Sequence, residues 1–137
     1  MTQPLTAGDA LGTLPPRDGV VLVIDDDEQV AAVARRMLEY FGYSVLTAAS
    51  GPEGIALVAG DPAIGAVVLD LTLPGGSGLD VFESIRGVRP ELPVLLMSGY
   101  SRAAAPLPGT ASFIEKPFSA DELVQRLRAT IAQAAGR

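Results

Sequence analysis

The chain has 137 residues, of which 48% are hydrophobic, so it is one domain in size and can bury a core without disulfide or metal cross-links. It contains no cysteine and no histidine, which excludes a disulfide framework, a thiol nucleophile and the commonest metal ligand and general base. The net charge of −6 argues against a nucleic-acid partner, because phosphate binding needs clustered lysine and arginine.

Residues 1–19 hold three prolines and three glycines without a sustained apolar period, which predicts a flexible N-terminal tail or linker. They lack the basic region and apolar block of a signal peptide, and no run in the chain has the length of a membrane span. We therefore expect a cytoplasmic protein without membrane contact, with its folded domain at residues 20–137.

The first predicted strand, Val20–Ile24, runs into four consecutive acids. Asp27 and Glu28 suit the cap and first turn of a helix, but Asp25 and Asp26 lie at the strand end, where capping explains them less well. The helix that follows has apolar residues at helical spacing, and we expect this stripe to be core. Its members are Val30, Val33, Met37, Leu38 and Phe41, and Gly42 ends the helix.

The third predicted strand carries a single carboxylate at its end. It follows a second strand, Ser44–Ala48, and a helix opened by the capping box Ser50–Glu53. Five small or apolar residues, 65–69, then lead into Asp70, and a turn at Pro74–Gly76 comes shortly afterwards. Such a run is typical of a strand buried on both faces of a parallel sheet. Asp70 is therefore expected at the carboxyl end of a strand, where open α/β sheets bind ligands.

The remaining elements continue the alternation of strand and helix. A third helix has Leu79, Phe82 and Ile85 on one face, and the fourth and fifth strands are Pro93–Met97 and Ala111–Ile114. Two prolines, Pro106 and Pro108, permit only a shortened fourth helix between those strands. The capping box Ser119–Glu122 opens the last helix, which buries Leu123, Leu127 and Ile131.

This alternation predicts an α/β fold, a doubly wound five-stranded parallel sheet with helices on both faces. Polar side chains stand at the carboxyl ends of four strands, and these are Asp25, Asp26, Asp70, Ser98 and Lys116. Each alone is more often a turn former, a cap or solvated surface, but their joint placement favours a functional site. Three carboxylates near one point need a cation, and Mg²⁺, for which Mn²⁺ can substitute, prefers such oxygen ligands.

The chemistry that suits this set is phosphoryl transfer. One of the acids can act as a nucleophile that forms an aspartyl phosphate. The metal and a lysine ammonium neutralise the transferring group, and a hydroxyl can donate to one of its oxygens.

Taken together, the chain resembles the receiver domain of bacterial two-component response regulators from about Val20 to about Ala135. Four separated motifs carry the resemblance, namely Val21–Glu28, Val68–Leu79, Leu96–Tyr100 and Lys116–Phe118. It implies the flavodoxin-like strand order 2-1-3-4-5. It also implies a signalling phosphoacceptor rather than an enzyme, with a sensor histidine kinase or a histidine phosphotransfer protein as its partner.

The resemblance assigns a role to each site residue. Asp70 would be the phosphoacceptor, Ser98 would hydrogen-bond the phosphoryl group and Lys116 would pair with it. Asp26, Asp70 and the backbone carbonyl of Thr72 would bind Mg²⁺ directly, and Asp25 would act mainly through a metal-bound water.

Three further positions come from the same resemblance. Phe113 occupies the place of a switch aromatic, which turns inward as Ser98 moves, although it lacks the hydroxyl of a tyrosine. Thr72 and Tyr100 flank the path of the hydrolytic water, and the bulk of Tyr100 is expected to slow hydrolysis. The Lys116–Pro117 bond is expected to be cis.

Other readings are kept as alternatives. We favour the C-terminal receiver of a hybrid sensor histidine kinase over a free-standing single-domain regulator, from the Met97–Tyr100 stretch and the proline-rich leader. The short segment between Ser98 and Lys116 puts in doubt signalling through the fourth helix. A haloacid dehalogenase-type phosphatase would need an acid at Thr72, and a flavodoxin-like cofactor binder would need a phosphate loop in place of Asp25–Asp27. Nothing in the sequence favours a docking module that acts without phosphorylation.

Overall fold

The computed structural model describes residues 19–72, 78–99 and 112–135, which form five strands and four helices. The strands are β1 (Val20–Ile24), β2 (Ser44–Ala48), β3 (Ile64–Asp70), β4 (Val94–Ser98) and β5 (Ser112–Glu115). The helices are α1 (Glu28–Tyr40), α2 (Gly51–Gly60), α3 (Gly78–Val88) and α4 (Ala120–Ala135), the last being the helix that the sequence predicts as the fifth. Residues 1–18 of the predicted tail, the turn at 74–76 and the predicted short helix before β5 lie outside the described residues. None of the described helices is both long and apolar enough to cross a membrane.

The five strands form one parallel sheet in the order β2-β1-β3-β4-β5. Helices α1 and α4 pack together on one face, and α2 and α3 on the other. The prediction of a doubly wound sheet is therefore confirmed, as is its strand order. Because all strands run the same way, their carboxyl ends meet at one edge of the sheet, which is where the predicted site residues stand.

Side chains of alternating residues on each strand fill two separate cores. Val21 and Val23 of β1 face α1 and α4, whereas Leu22 and Ile24 face α2 and α3. All four side chains are fully buried. At about 25 cal/mol for each Å² of apolar surface removed from water, burial on both faces is the main stabilising term of such a sheet.

The apolar stripe of α1 is not all core, contrary to the sequence prediction. The residues of α1 that are buried are Ala31, Ala34 and Leu38, while the side chain of Val33 is 46% exposed. The small alanines are thus the residues packed against the sheet, whereas Val30 and Val33, each one position before a buried alanine, are half-buried and exposed. As a result, part of the apolar surface of α1 stays open to solvent.

The helix ends follow the sequence signals. Asp27 caps α1, its Oδ1 accepting hydrogen bonds from the backbone N–H groups of Gln29 and Val30. At the other end Gly42 has a φ of +98°, and the N–H groups of Gly42 and Tyr43 donate back to the last turn of the helix. A positive φ at this position favours glycine over residues with a Cβ. The cap at Asp27 also holds the acidic loop after β1 in place.

Gly78 starts α3 directly against the backbone that follows β3. A Cβ atom at this position would clash with the Cα of Leu71 and would lie 2.7 Å from the carbonyl oxygen of Asp70. We expect Gly78→Ala to lower the free energy of unfolding by about 1–3 kcal/mol, because backbone atoms cannot move aside as the end of a flexible side chain can. Urea unfolding followed by circular dichroism measures this loss.

Gly87→Ala in the same helix is the matched control. Among the described residues, no atom outside the neighbouring backbone of its own helix lies within 4 Å of the Cβ that this substitution adds, and alanine favours a helix by about 0.5–1 kcal/mol over glycine. The control is therefore expected to be neutral or slightly stabilising. Equal losses at the two positions would contradict the packing argument.

Candidate functional site

Three carboxylates lie together at the carboxyl edge of the sheet. Asp25 and Asp26 follow β1, Asp70 ends β3, and these strands are neighbours, with Ile24 opposite Leu69. Each acid offers an oxygen that lies within 4.8 Å of the oxygens of the other two. Asp25 and Asp70 are buried and Asp26 is exposed, so the cluster opens to solvent on one side.

Lys116 reaches into this cluster from the end of β5. Its Nζ lies 3.2 Å from Oδ2 of Asp25 and 3.6 Å from Oδ1 of Asp70. The backbone N–H of Lys116 donates to the carbonyl of Ser98 at 2.7 Å, which ties the loop after β5 to the end of β4. The Lys116–Pro117 peptide is cis, as the sequence resemblance implied. One ammonium group thus bridges two of the three acids.

The charges in this cluster do not balance without a further cation. Three carboxylates and one ammonium leave two negative charges in a partly buried site. Burial, the largest cause, raises the pKa of Asp25, and the charge of Asp70 adds to it, although the Asp27 N–H and Lys116 act the other way. A divalent cation with oxygen ligands would supply positive charge here, and a set of few carboxylates open to water is the kind of site that Mg²⁺ prefers.

The two oxygens of Asp70 have different surroundings. Oδ1 accepts hydrogen bonds from the backbone N–H of Thr72 at 3.0 Å and from its hydroxyl at 2.9 Å. Among the described residues, none donates to Oδ2. Sequence reasoning missed this contact of the Thr72 side chain, although an acid followed two positions later by a hydroxyl residue is a known signal for a local side-chain turn.

The other predicted site residues are placed as follows. Ser98 is the last residue of β4, is buried, and lies on the strand next to β3. Phe113 lies in β5 opposite Leu96, and its ring is buried in the core on the α2 and α3 face. A guanidinium nitrogen of Arg126 in α4 donates to the carbonyl of Phe113. Tyr100 lies outside the described residues.

An apolar groove borders the acid cluster, and we call it the α1 groove. It encloses about 350 Å³ and runs between α1 and the loop after β5. Its apolar walls and its border with the cluster are formed by Val30, Val33, Met37, Lys116, Pro117 and Phe118. Lys116 therefore belongs to both the groove and the acid cluster, with its Nζ 3.6 Å from Oδ1 of Asp70.

The sequence of the chain matches a known protein family and several known relatives. The profile of the response regulator receiver domain family matches residues 21–128. TcrX of Mycobacterium tuberculosis, described as a probable transcriptional regulatory protein, is 40% identical over 115 residues, 81% of this chain and 49% of its own length. YkoG of Bacillus subtilis, an uncharacterized transcriptional regulatory protein, is 34% identical over 119 residues, 84% of this chain and 52% of its own. The chain thus spans about half of the length of these relatives.

The fold of the chain is also similar to the folds of solved receiver domain structures. A response regulator receiver domain protein from Clostridium thermocellum has a TM-score of 0.76 at 26% identity, covering 85% of this chain and 97% of the other. The receiver domain of the hybrid histidine kinase CckA has a TM-score of 0.71 at 29% identity, with coverage of 82% and 99%.

Proposed function

The chain belongs to the response regulator receiver domain family, and from this premise we propose that Asp70 accepts a phosphoryl group from a phosphohistidine. The donor is a sensor histidine kinase or a histidine phosphotransfer protein. The observation that carries the proposal is the ammonium of Lys116 between the carboxylates of Asp25 and Asp70, at 3.2 and 3.6 Å. The composition supports a cytoplasmic setting for the exchange.

In the proposed reaction an oxygen of Asp70 attacks the phosphorus, and the bond from phosphorus to the donor breaks with its electron pair on the donor. Lys116 pairs with the transferring group and offsets its negative charge. Ser98, on the neighbouring strand, donates to a phosphoryl oxygen. Mg²⁺ held by Asp26, Asp70 and the Thr72 carbonyl, with Asp25 acting through water, would add positive charge at the phosphoryl oxygens.

We propose that the signal leaves the site through Ser98 and Phe113. The phenylalanine ring is already packed into the core, and the strand that carries it also leads to Lys116. Movement of the Ser98 side chain toward a phosphoryl group frees space near the end of β4, and the ring can adjust to it. Thr72 and Tyr100 are proposed to set the rate at which water removes the phosphoryl group.

The α1 groove supports a protein donor rather than a small molecule alone. It exposes apolar side chains of α1 directly beside Lys116, and a partner that covers them buries their surface as it brings its phosphohistidine to Asp70. We expect Val33→Asp to slow phosphotransfer from a cognate protein donor by about tenfold or more, because a charge would have to be buried in the interface. Phosphorylation by acetyl phosphate is expected to be unchanged, and both rates follow from phosphate-affinity gels.

Val88→Asp provides the control for this prediction. Val88 is 43% exposed, close to the 46% of Val33, but it stands at the end of α3 on the opposite face of the sheet. Phosphotransfer to this variant should match the wild type. A similar loss of phosphotransfer rate in both variants would contradict the proposal that the donor protein docks on the α1 groove.

The kind of protein in which this receiver domain occurs stays a prediction. The hybrid-kinase context favoured by the sequence is supported by the likeness to the CckA receiver. The alternative is a free-standing single-domain response regulator. The names of TcrX and YkoG, both transcriptional regulatory proteins, support a free-standing regulator, while its single-domain form stays a prediction.

The proposed function is tested by the intact mass of the protein after incubation with Mg²⁺ and acetyl phosphate. We expect the wild-type protein to gain the mass of one phosphoryl group, and EDTA to prevent the gain. Absence of an adduct, together with failure to bind beryllofluoride in the presence of Mg²⁺, would contradict the proposal and leave a docking role. Binding of beryllofluoride without a stable adduct would indicate rapid hydrolysis at a working site.

A further inference from the structure

A further cavity lies at the amino edge of the sheet, opposite the edge that carries Asp70, and we call it the Arg89 pocket. It encloses about 380 Å³ between the start of β3 and the loop that joins α3 to β4. Its lining residues are Gly65 and the run from Val88 to Pro93. None of these residues belongs to the acid cluster or to the α1 groove, so the Arg89 pocket is separate from the proposed phosphoacceptor site.

Arg89 brings a positive charge to this pocket, and its guanidinium is incompletely partnered. The Nη1 atom is buried and, among the described residues, has no hydrogen-bond acceptor. The backbone of Arg89 is nevertheless well held, because its N–H donates to the carbonyl of Ile85 at 2.8 Å and its carbonyl accepts from the N–H of Leu92 at 3.1 Å. A buried charged donor without an acceptor costs free energy, so its presence in a folded chain calls for a functional explanation.

The rim of the pocket indicates which chemical group suits Arg89. Val88 is 43% exposed and Pro90 is also exposed, so the guanidinium borders on apolar surface. Glu91 is exposed on the same lining, and its charge repels a group that carries several negative charges. A single carboxylate can pair with a guanidinium through two parallel N–H···O bonds. The pocket therefore suits one carboxylate flanked by apolar groups, rather than a phosphate or a polyanion.

We propose that the Arg89 pocket binds an acidic side chain of a partner polypeptide whose neighbouring residues cover Val88 and Pro90. The guanidinium can turn toward the carboxylate without breaking a hydrogen bond of Nη1, because that atom makes none within the described part of the chain. An arginine with apolar neighbours is a common centre of protein interfaces. Since the pocket lies at the edge of the sheet opposite Asp70, the partner leaves the acceptor edge open. The inference does not depend on the proposed phosphoacceptor function.

Titration of the ¹⁵N-labelled protein with two blocked pentapeptides tests the proposal by nuclear magnetic resonance. One peptide has a central glutamate between two leucines, and the other has glutamine in place of the glutamate. We expect the glutamate peptide to shift the amide signals of Arg89 and Glu91 and the Nε–Hε signal of Arg89. It should bind about fivefold or more tightly than the glutamine peptide, because only the carboxylate makes charge-assisted hydrogen bonds. Sodium acetate at the same concentrations should cause smaller shifts, since it cannot cover the apolar rim.

Two variants connect the peptide preference to the guanidinium. Arg89→Met keeps most of the length of the side chain and removes its charge, so the preference for the glutamate peptide should be lost. Arg36→Met is the matched control, at an exposed position of α1 on the opposite face of the sheet, and should keep the preference. Urea unfolding adds a readout that separates binding from a structural role. Because Nη1 makes no hydrogen bond that could be lost, the midpoint of Arg89→Met should equal or exceed that of the wild type.

Three results would overturn the inference. The first is the absence of shifts with the glutamate peptide, or equal affinity for the two peptides. The second is a lower urea midpoint for Arg89→Met, which would give the guanidinium a structural role instead. The third is acetate that binds as tightly as the glutamate peptide, since the pocket would then accept small carboxylates and would need no polypeptide partner.

Discussion

Asp70→Asn is expected to abolish the phosphoryl adduct that the wild-type protein forms with acetyl phosphate and Mg²⁺. The amide keeps the size of the side chain and an oxygen that can accept the hydrogen bonds of Thr72, now made at 3.0 and 2.9 Å. It removes the anionic oxygen that attacks phosphorus, so the covalent step has no nucleophile. Intact mass measures the loss, and peptide mapping of the wild-type adduct locates the modified residue.

The fold is not expected to suffer from this substitution. Removing one charge from a cluster of three acids, of which Asp25 and Asp70 are buried and Asp26 is exposed, relieves repulsion, so thermal unfolding without Mg²⁺ should occur at the same temperature or higher. Asp80→Asn, at an exposed position in the first turn of α3, serves as the matched control and should accept the phosphoryl group normally. An adduct that persists in Asp70→Asn would show that another residue is the acceptor.

Lys116→Met is expected to lower the rate of phosphorylation by about 10²–10³-fold, the usual cost of removing one group that stabilises charge at a reacting centre. Methionine has nearly the length of lysine and no charge, so the change removes mainly the ammonium that lies 3.6 Å from Asp70. Lys116→Arg keeps a positive charge with a different shape and should be intermediate. Rates at several acetyl phosphate concentrations, read by intact mass, give the comparison.

Measuring Mg²⁺ binding by Lys116→Met shows whether the substitution removes only the charge of Lys116 or disrupts the structure of the acid cluster. The ammonium lies 3.2 Å from Asp25 and repels a second cation there. Its removal should therefore raise the affinity of the three acids for Mg²⁺. Calorimetry on Lys116→Met should therefore show Mg²⁺ affinity equal to or higher than that of the wild type. Joint loss of Mg²⁺ binding and phosphorylation would contradict a specific role for the ammonium.

The helix and strand pattern was readable from local signals. The buried run before Asp70, the cap at Ser50 and the cap at Asp27 each depend on residues within a few positions of one another, and each is present in the structure, with Glu53 accepting from the N–H of Ala49 rather than from that of Ser50. The order of the strands in the sheet could not be predicted from such local signals. It came from the resemblance to the receiver family, because periodicity shows that strands are parallel and buried but not which strands are neighbours.

The error on α1 has a similar cause. The helical period identified an apolar stripe on α1 but not which side of the stripe faces the sheet. In the structure the small alanines of α1 are buried against the sheet, whereas Val33 is exposed. The position of Val33 depends on the rotation of the helix against β1 and β2, which is decided by packing across the whole face.

By itself, then, the sequence determined which residue types stand at the strand ends, including the one lysine of the chain, and hence the kind of chemistry they suit. Only the tertiary structure decided their distances. Lys116 and Asp25 are 91 positions apart, yet a parallel sheet aligns the ends of its strands and brings their charged atoms to 3.2 Å. The contact of the Thr72 hydroxyl with one oxygen of Asp70, and the opening of the α1 groove beside them, likewise depend on rotamers and helix orientation. Those are set by the packed core, and no local pattern of residues specifies them.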